Sequence, residues 1–315
     1  MKDRIDPLIE DRAPWLFRPT LAASLARPAL NRLLGYDRTV ALAEEVQHLS
    51  SLDIMTVMAD MLARDVTVSG LGQIPRHGAA MIVANHPTGI ADGIILHSVL
   101  REERTDAYYF ANHDILKVLP QMGEMIAPVE WRKERRSHAK TRGTMLFARK
   151  AVEDGRLGVI FPSGRLAKRR GARLHERPWM ASAAMLARKF DLPVIPIHLQ
   201  ARNSALFYLF DAIHPTLRDI TLFHETLNKN RQPFEIRIGE PISPKALPEN
   251  SEEGIALLRR ATLALGEPRK QGVSLLDATR FPARRAEKPR VETTPSQGAR
   301  TGRATGRKDR ESPAQ

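Results

Sequence analysis

Residues 79–93 read AAMIVANHPTGIADG. The run from Ala79 to Ala84 is apolar without alternation, as a strand buried on both faces is. It delivers Asn85, His86 and Pro87 at its carboxyl end. Thr88, Gly89 and Ile90 then lead through Ala91, Asp92 and Gly93 into a helical stretch that includes Ile94 to Leu100. A buried strand that ends in a polar side chain just ahead of a helix is how α/β proteins place ligand chemistry.

The same grammar repeats outward from this segment. DVTVSG, DAYYFAN, MIAPVEW, LGVIFPSG, PVIPIHLQ and FEIRIGEPI are further strand candidates, several of them apolar on both faces. Helical spacing of three and four recurs around Met145, Ala148 and Val152, and again at Trp179, Ala183, Leu186 and Phe190. The expected fold is α/β, with a mixed, mostly parallel sheet flanked by helices. Residues 1–64 read as an N-terminal helical cap, with Pro19 and Pro28 breaking it into pieces. Leu21, Leu25 and Leu33 among Arg18, Arg27 and Arg32 fit either a cap packed on the core or a basic amphipathic surface lying on lipid. Residues 65–279 form the α/β domain and close with a helix from Glu252 to Leu265. Residues 280–315 are rich in Pro, Gly, Ser, Thr and Arg and too poor in apolar side chains to offset chain entropy, so a disordered basic tail is expected.

Five residues separate His86 from Asp92. A turn of that length can fold the carboxylate back onto the imidazole, holding one ring nitrogen so that the other acts as a base, and Gly89 and Gly93 give the backbone freedom for it. Alone, the pair is also what a surface contact or a helix cap looks like. A second apolar strand running into Phe161, Pro162, Ser163, Gly164 and Arg165 ends in a turn that can offer backbone N–H groups and a guanidinium to a phosphate. A third, residues 193–204 (PVIPIHLQARNS), finishes at Arg202 and Asn203.

In that order, NHPTGIADG, FPSGR and PVIPIHLQARNS resemble the blocks of the PlsC-like lysophospholipid and glycerolipid acyltransferase superfamily. The longer histidine motif and the R-N-S ending look most like its hemolysin-like or ornithine-lipid acyltransferase branch. The resemblance spans about Val66 to Ile242. It implies a glycerol-3-phosphate acyltransferase-like fold, with His86 as the base that deprotonates an acceptor hydroxyl and Asp92 as its orienting acid. It also implies acyl transfer from acyl-CoA or acyl carrier protein, both substrates rather than cofactors, to a lysolipid of the 1-acylglycerol-3-phosphate type. Head-group recognition maps onto Ser163, Gly164 and Arg165, and a looser block maps onto Arg132. Where the family has glutamate, this chain has Ser163, which opens the acceptor to a non-glycerol lipid such as lyso-ornithine lipid.

The cluster Arg132, Lys133, Arg135 and Arg136, like Lys168, Arg169, Arg170 and Arg173, reads either as a solvated basic face or as a surface for CoA phosphates, an acidic carrier protein or anionic lipid heads. His113 repeats the Asn-His pair, but no matching Asp or Gly turn follows at the same spacing, and it is read as structural. His198, in an apolar strand, is read as a core residue. No cluster has metal-ligand spacing, and no glycine-rich nucleotide loop occurs.

Composition bounds these readings. The chain has 315 residues, no cysteine and a formal net charge of +13, to which residues 280–315 contribute +6. Disulfides, thiolate metal sites and cysteine nucleophiles are excluded, and the charge points to a polyanionic partner. No signal peptide or membrane span is legible. The expected location is the cytoplasmic face of the cell membrane, held peripherally by an anionic surface. From another class, a non-catalytic basic protein on membrane or nucleic acid also fits the charge, although the tail's arginines lack the interleaved aromatics that stack on bases.

Overall fold

The structure, a computed structural model, describes residues 1–130, 133–135, 137–266, 272–275 and 278. Arg132, Arg136 and the expected tail lie outside them.

Four helices open the chain: α1 (Lys2–Arg12), α2 (Leu21–Leu34), α3 (Tyr36–Val46) and α4 (Ser51–Leu62). Strand β1 (Val66–Ser69) follows, then β2 (Ala80–Ala84), α5 (Ile90–Leu100), β3 (Tyr108–Asn112), α6 (Ile115–Val118), β4 (Ile126–Val129), α7 (His138–Glu153) and β5 (Leu157–Ile160). A hairpin, β6 (Lys168–Arg170) and β7 (Arg173–His175), precedes α8 (Ser182–Lys189) and β8 (Val194–Gln200). The remaining elements are α9 (Ala205–Ile213), α10 (Pro215–Asn228), β9 (Phe234–Ile238), α11 (Ser251–Ala264) and the short β10 (Val273–Ser274).

The main sheet has the order β1-β9-β8-β2-β5-β3-β4. Every pairing is parallel except β8 with β9, so β1 and β9 run against the other five. It is therefore the mixed, mostly parallel sheet expected. Alternate residues of β2 serve opposite layers. Ala80, Ile82 and Ala84 join α1, α3, α4 and α5 through Ile5, Val40, Ile54 and Ile95. Met81 and Val83 join α8 and α11 through Ala183, Leu186 and Leu258. Burying both faces explains the unbroken apolar run, since each large aliphatic side chain contributes about 1.5–3 kcal/mol.

Helices α1, α3 and α4 share the sheet's own core, which is the packed-cap reading of the amino-terminal segment. Helix α2 differs: Leu21, Leu25 and Leu33 are exposed. Pro28 does not break it. Thr20 caps its amino end, Gly35 ends it in the left-handed conformation at φ 68°, and buried Ala23 and Leu34 anchor it on either side of the proline. The carbonyl of Ser24 that loses its N–H partner belongs to an exposed residue, where water can take that place.

Two features of the fold were not expected from the sequence. The basic run Lys168 to Arg173 is a hairpin in a small sheet ordered β10-β7-β6, with β6 fully exposed. Helices α9 and α10 fill the stretch between β8 and β9.

Candidate active site

Strands β2 and β5 pair in parallel with Val83 opposite Ile160, while Ala84 lies opposite Ile197 of β8. Their carboxyl ends, and therefore the three sequence blocks, meet at one end of the central strands. Asn85 extends the ladder with its side chain: Nδ2 donates to the Leu199 carbonyl (2.9 Å) and Oδ1 accepts from the Leu199 amide (2.7 Å). The sheet therefore stays satisfied while the main chain turns away at His86.

The turn closes on Asp92. Its Oδ2 accepts from the amides of Thr88 (2.9 Å) and Gly89 (3.0 Å) and lies 2.9 Å from His86 Nδ1, and its Oδ1 accepts from Thr88 Oγ1. Gly89 sits at φ 96°, ψ −131°, a conformation closed to side chains, and an added Cβ would press on Leu166 at 3.2 Å. Asp92 thus ties the turn, caps the first turn of α5 and fixes the imidazole together. A carboxylate only accepts, so the His86 proton belongs on Nδ1 and Nε2 carries a free lone pair. Phe161, the first residue beyond β5, stacks on the ring with centroids 4.3 Å apart and planes 24° apart. The imidazole is therefore held by a hydrogen bond at one edge and a ring on one face, as a general base requires.

The backbone of His86 is pinned as well. Its carbonyl accepts from the Ala167 amide (2.8 Å), and its amide donates to Glu176 Oε2 (3.0 Å). The other oxygen of Glu176 accepts from Trp179 Nε1 (3.0 Å). Burial pushes the Glu176 carboxyl up from its ordinary value against these donors, which favour the charged form. Glu176 lies 90 residues from His86, and nothing in its local pattern marks it. Replacing it with glutamine turns one acceptor into a donor facing a donor. If His86 acts as the base, Glu176→Gln is expected to cut kcat by about 10-fold while acceptor KM stays within about 2-fold, because a misplacement of about 1 Å at a reacting group can cost ~10². Steady-state thiol release checks this, and a raised acceptor KM at full kcat would count against a positioning role.

Ser163 is buried and its hydroxyl donates to the Arg165 carbonyl (2.8 Å), so it shapes the loop rather than presenting itself to a ligand. Gly164 takes φ 58°, and Arg165 is exposed. His86, Gly164 and Arg165 line one cavity of about 1720 Å³. Its deep wall is apolar, formed by Met55, Met58, Ile94, Tyr109, Met122 and Ile126; its mouth is basic, with Lys168, Arg169 and Arg177 beside Arg165. That volume exceeds an ordinary small-molecule pocket and, lined by both apolar and charged side chains, suits an amphiphile.

Arg132 lies outside the described residues. Of its neighbours, Arg135 pairs with Asp11 of α1 at 2.7 Å. His113 stands 3.7 Å from Asp114 and 3.8 Å from Glu130, without the close carboxylate that His86 has. His198 is buried on β8, where desolvation lowers it to about 4 and keeps it neutral. Behind Asp92, the R-N-S ending of the third block is fastened to α10. Ser204 donates its amide (2.9 Å) and hydroxyl (2.6 Å) to Glu225, and Lys229 Nζ bonds Glu225 Oε2 (2.6 Å) and Asn203 Oδ1 (2.8 Å).

A pinned histidine–aspartate pair at the strand ends of an α/β sheet, opening on an amphiphile-sized cavity, agrees with a match of residues 65–200 to the acyltransferase family model. The chain is 23% identical over 223 residues to the lyso-glycine lipid O-acyltransferase of Phocaeicola vulgatus, covering 68% of this chain and 77% of that protein. It is likewise 23% identical over 246 residues to the enzyme of the same name from Bacteroides thetaiotaomicron, covering 76% and 87%. Among solved structures, the 1-acyl-sn-glycerophosphate acyltransferase PlsC from Thermotoga maritima aligns at a TM-score of 0.46 and 13% identity, over 77% of this chain and 95% of that one.

Proposed function

We propose that this protein moves a fatty acyl group from an acyl thioester, acyl-CoA or acyl carrier protein, to the hydroxyl of a lysolipid whose head group is amino-acid-derived. The observation that carries the chemistry is the 2.9 Å contact between Asp92 and His86 Nδ1, which leaves Nε2 to act in the cavity. His86 Nε2 takes the acceptor's hydroxyl proton as its oxygen attacks the thioester carbonyl. The tetrahedral intermediate collapses, the C–S bond breaks, and the imidazolium returns its proton to the departing sulfur. Asp92 stabilises the transient imidazolium, and no covalent acyl-enzyme forms.

The acceptor class rests on two features: the relatives' substrate names, and Ser163, which stands where glycerophosphate acyltransferases of this family have glutamate. The apolar wall from Met55 to Ile126 is assigned to the acyl chains. Among the described residues no helix is long and apolar enough to cross a membrane. Exposed Leu21 and Leu25 on α2, with Leu209 and Ile213 on α9, support peripheral attachment to the inner face of the cell membrane.

Thiol release is the test, with palmitoyl-CoA and palmitoyl carrier protein as donors. The acceptors are N-(3-hydroxyacyl)glycine, lyso-ornithine lipid and 1-acylglycerol-3-phosphate. The expected result is turnover on an amino-acid lysolipid at a kcat/KM at least about 10-fold above that on the glycerophosphate. A preference for 1-acylglycerol-3-phosphate overturns the acceptor assignment, and no thiol release with any pair overturns the activity.

A further inference from the structure

Arg177 follows Glu176 directly, at the exit of the β6–β7 hairpin. Its Nε donates to the Leu166 carbonyl (3.0 Å), which orients the guanidinium and leaves its two terminal nitrogens without a carboxylate partner among the described residues. Arg165, on the turn after β5, makes no ion pair among the described residues either. Arg218 of α10 lies close by, already committed to Asp211 (3.2 Å) and Asp219 (2.7 Å). All three line the cavity that contains His86. Burial, then the guanidinium groups of Arg165 and Arg218, pull Arg177 below the ordinary arginine value, so three like charges are crowded at one place. Asp211 and Glu176 act on Arg177 in the opposite sense but do not outweigh these effects, and like charges held together at a cavity mouth, two of them without an ion-pair partner among the described residues, are an arrangement that an anionic ligand stabilises.

We infer that Arg177, with Arg165, binds the anionic oxygens of the acceptor's head group, and that Arg177 is the residue through which the enzyme selects a charged acceptor. This rests on the proposed acyl transfer. Arg218, neutralised by its two aspartates, closes the wall of this site rather than contributing to it. The chain links recognition to chemistry through neighbours: Glu176 holds the backbone of His86 and Arg177 holds the head group, so one short segment sets the distance between base and acceptor. A carboxylate and a phosphate offer the same paired oxygens to a guanidinium fork, and the acceptors used in the test separate them.

The test compares wild type, Arg177→Gln and Arg177→Lys on N-(3-hydroxyacyl)glycine, on its uncharged amide N-(3-hydroxyacyl)glycinamide, and on 1-acylglycerol-3-phosphate. With wild type, the glycine acceptor is expected to have a KM about 10- to 100-fold below that of the glycinamide, the range of a charge-assisted hydrogen-bonded pair. Arg177→Gln should erase that preference, raising KM for the glycine acceptor by the same factor while leaving donor KM unchanged. Arg177→Lys should recover part of it. A phosphate-reading site shows the same loss on 1-acylglycerol-3-phosphate instead of the glycine lipid. If Arg177→Gln keeps the wild-type preference for anionic acceptors, the assignment is wrong. Equilibrium binding of the glycine and glycinamide lipids to wild type and Arg177→Gln, without donor, reads the same discrimination. It stands even if no thiol is released, which separates failure of this site from failure of the proposed reaction.

Discussion

His86→Ala is expected to lower kcat for acyl transfer by about 10³-fold, within the 10²–10⁴ that a positioned general base supplies, while the protein stays folded. The fold should survive because the imidazole side chain is 17% exposed and its anchors are mostly backbone: the amide on Glu176 and the carbonyl on Ala167 persist in alanine. Asp92→Asn provides the contrast. The carboxylate is 1% exposed and accepts from two backbone amides and a hydroxyl as well as facing Nδ1. An asparagine must either offer its amide to donors or turn its oxygen to them and lose the imidazole. Asp92→Asn should therefore lose both turnover and melting temperature, whereas His86→Ala loses turnover alone. The measurements are initial-rate thiol release and thermal unfolding on the same preparations. Retention of more than about a tenth of wild-type kcat in His86→Ala would sink the base assignment.

The pair itself was legible in the sequence because strand, turn and helix start were contiguous, so residues 79–93 contained the geometry. Seven main-sheet strands were legible for the related reason that each is a short apolar run between polar turns. What holds the pair in place was not. Glu176 reaches His86 only because the hairpin β6–β7 folds back over the end of β5, and a strand of Lys168, Arg169 and Arg170 has no apolar face to announce it. Asn85 was visible as part of the motif, but its ladder-extending role depends on β8 lying beside β2, a pairing across 114 residues. The proline at Pro28 misled for a local reason: propensity alone ends a helix there, and tertiary anchoring on both sides overrides it. Arginines 165 and 177 are 12 residues apart in sequence, and only the turn that brings both to the cavity mouth makes them a site.

Lys229→Met is expected to destabilise the fold by about 3–5 kcal/mol at neutral pH, the cost of leaving a buried charge without its partner. Both partners are almost wholly enclosed, Lys229 at 0% and Glu225 at 2% side-chain exposure, with Nζ 2.6 Å from Oε2. Burial raises the Glu225 carboxyl, but the ammonium of Lys229 and two bonds from Ser204 outweigh it and hold Glu225 below its ordinary value. In the wild type, Glu225 therefore adds stability above the unfolded glutamate pKa of about 4.3, and that contribution is lost as pH falls through the lower folded value. In Lys229→Met only burial opposes the Ser204 donors, so the folded value moves up and ionisation becomes a cost that grows as pH rises. The difference between the two proteins in urea unfolding should accordingly be largest near pH 7 and shrink toward pH 4. Glu225→Gln in the Lys229→Met background should recover about half of the loss, since the amide oxygen can still accept from Ser204 while no bare charge remains. The same lysine bonds Asn203 and the Arg202 carbonyl and lies within electrostatic reach of Asp92. Its removal frees the end of β8 on which Asn85 and the catalytic turn lean. Turnover should then fall in Lys229→Met by more than the unfolded fraction accounts for, and equal losses of activity and folded population would mean that the network serves stability alone.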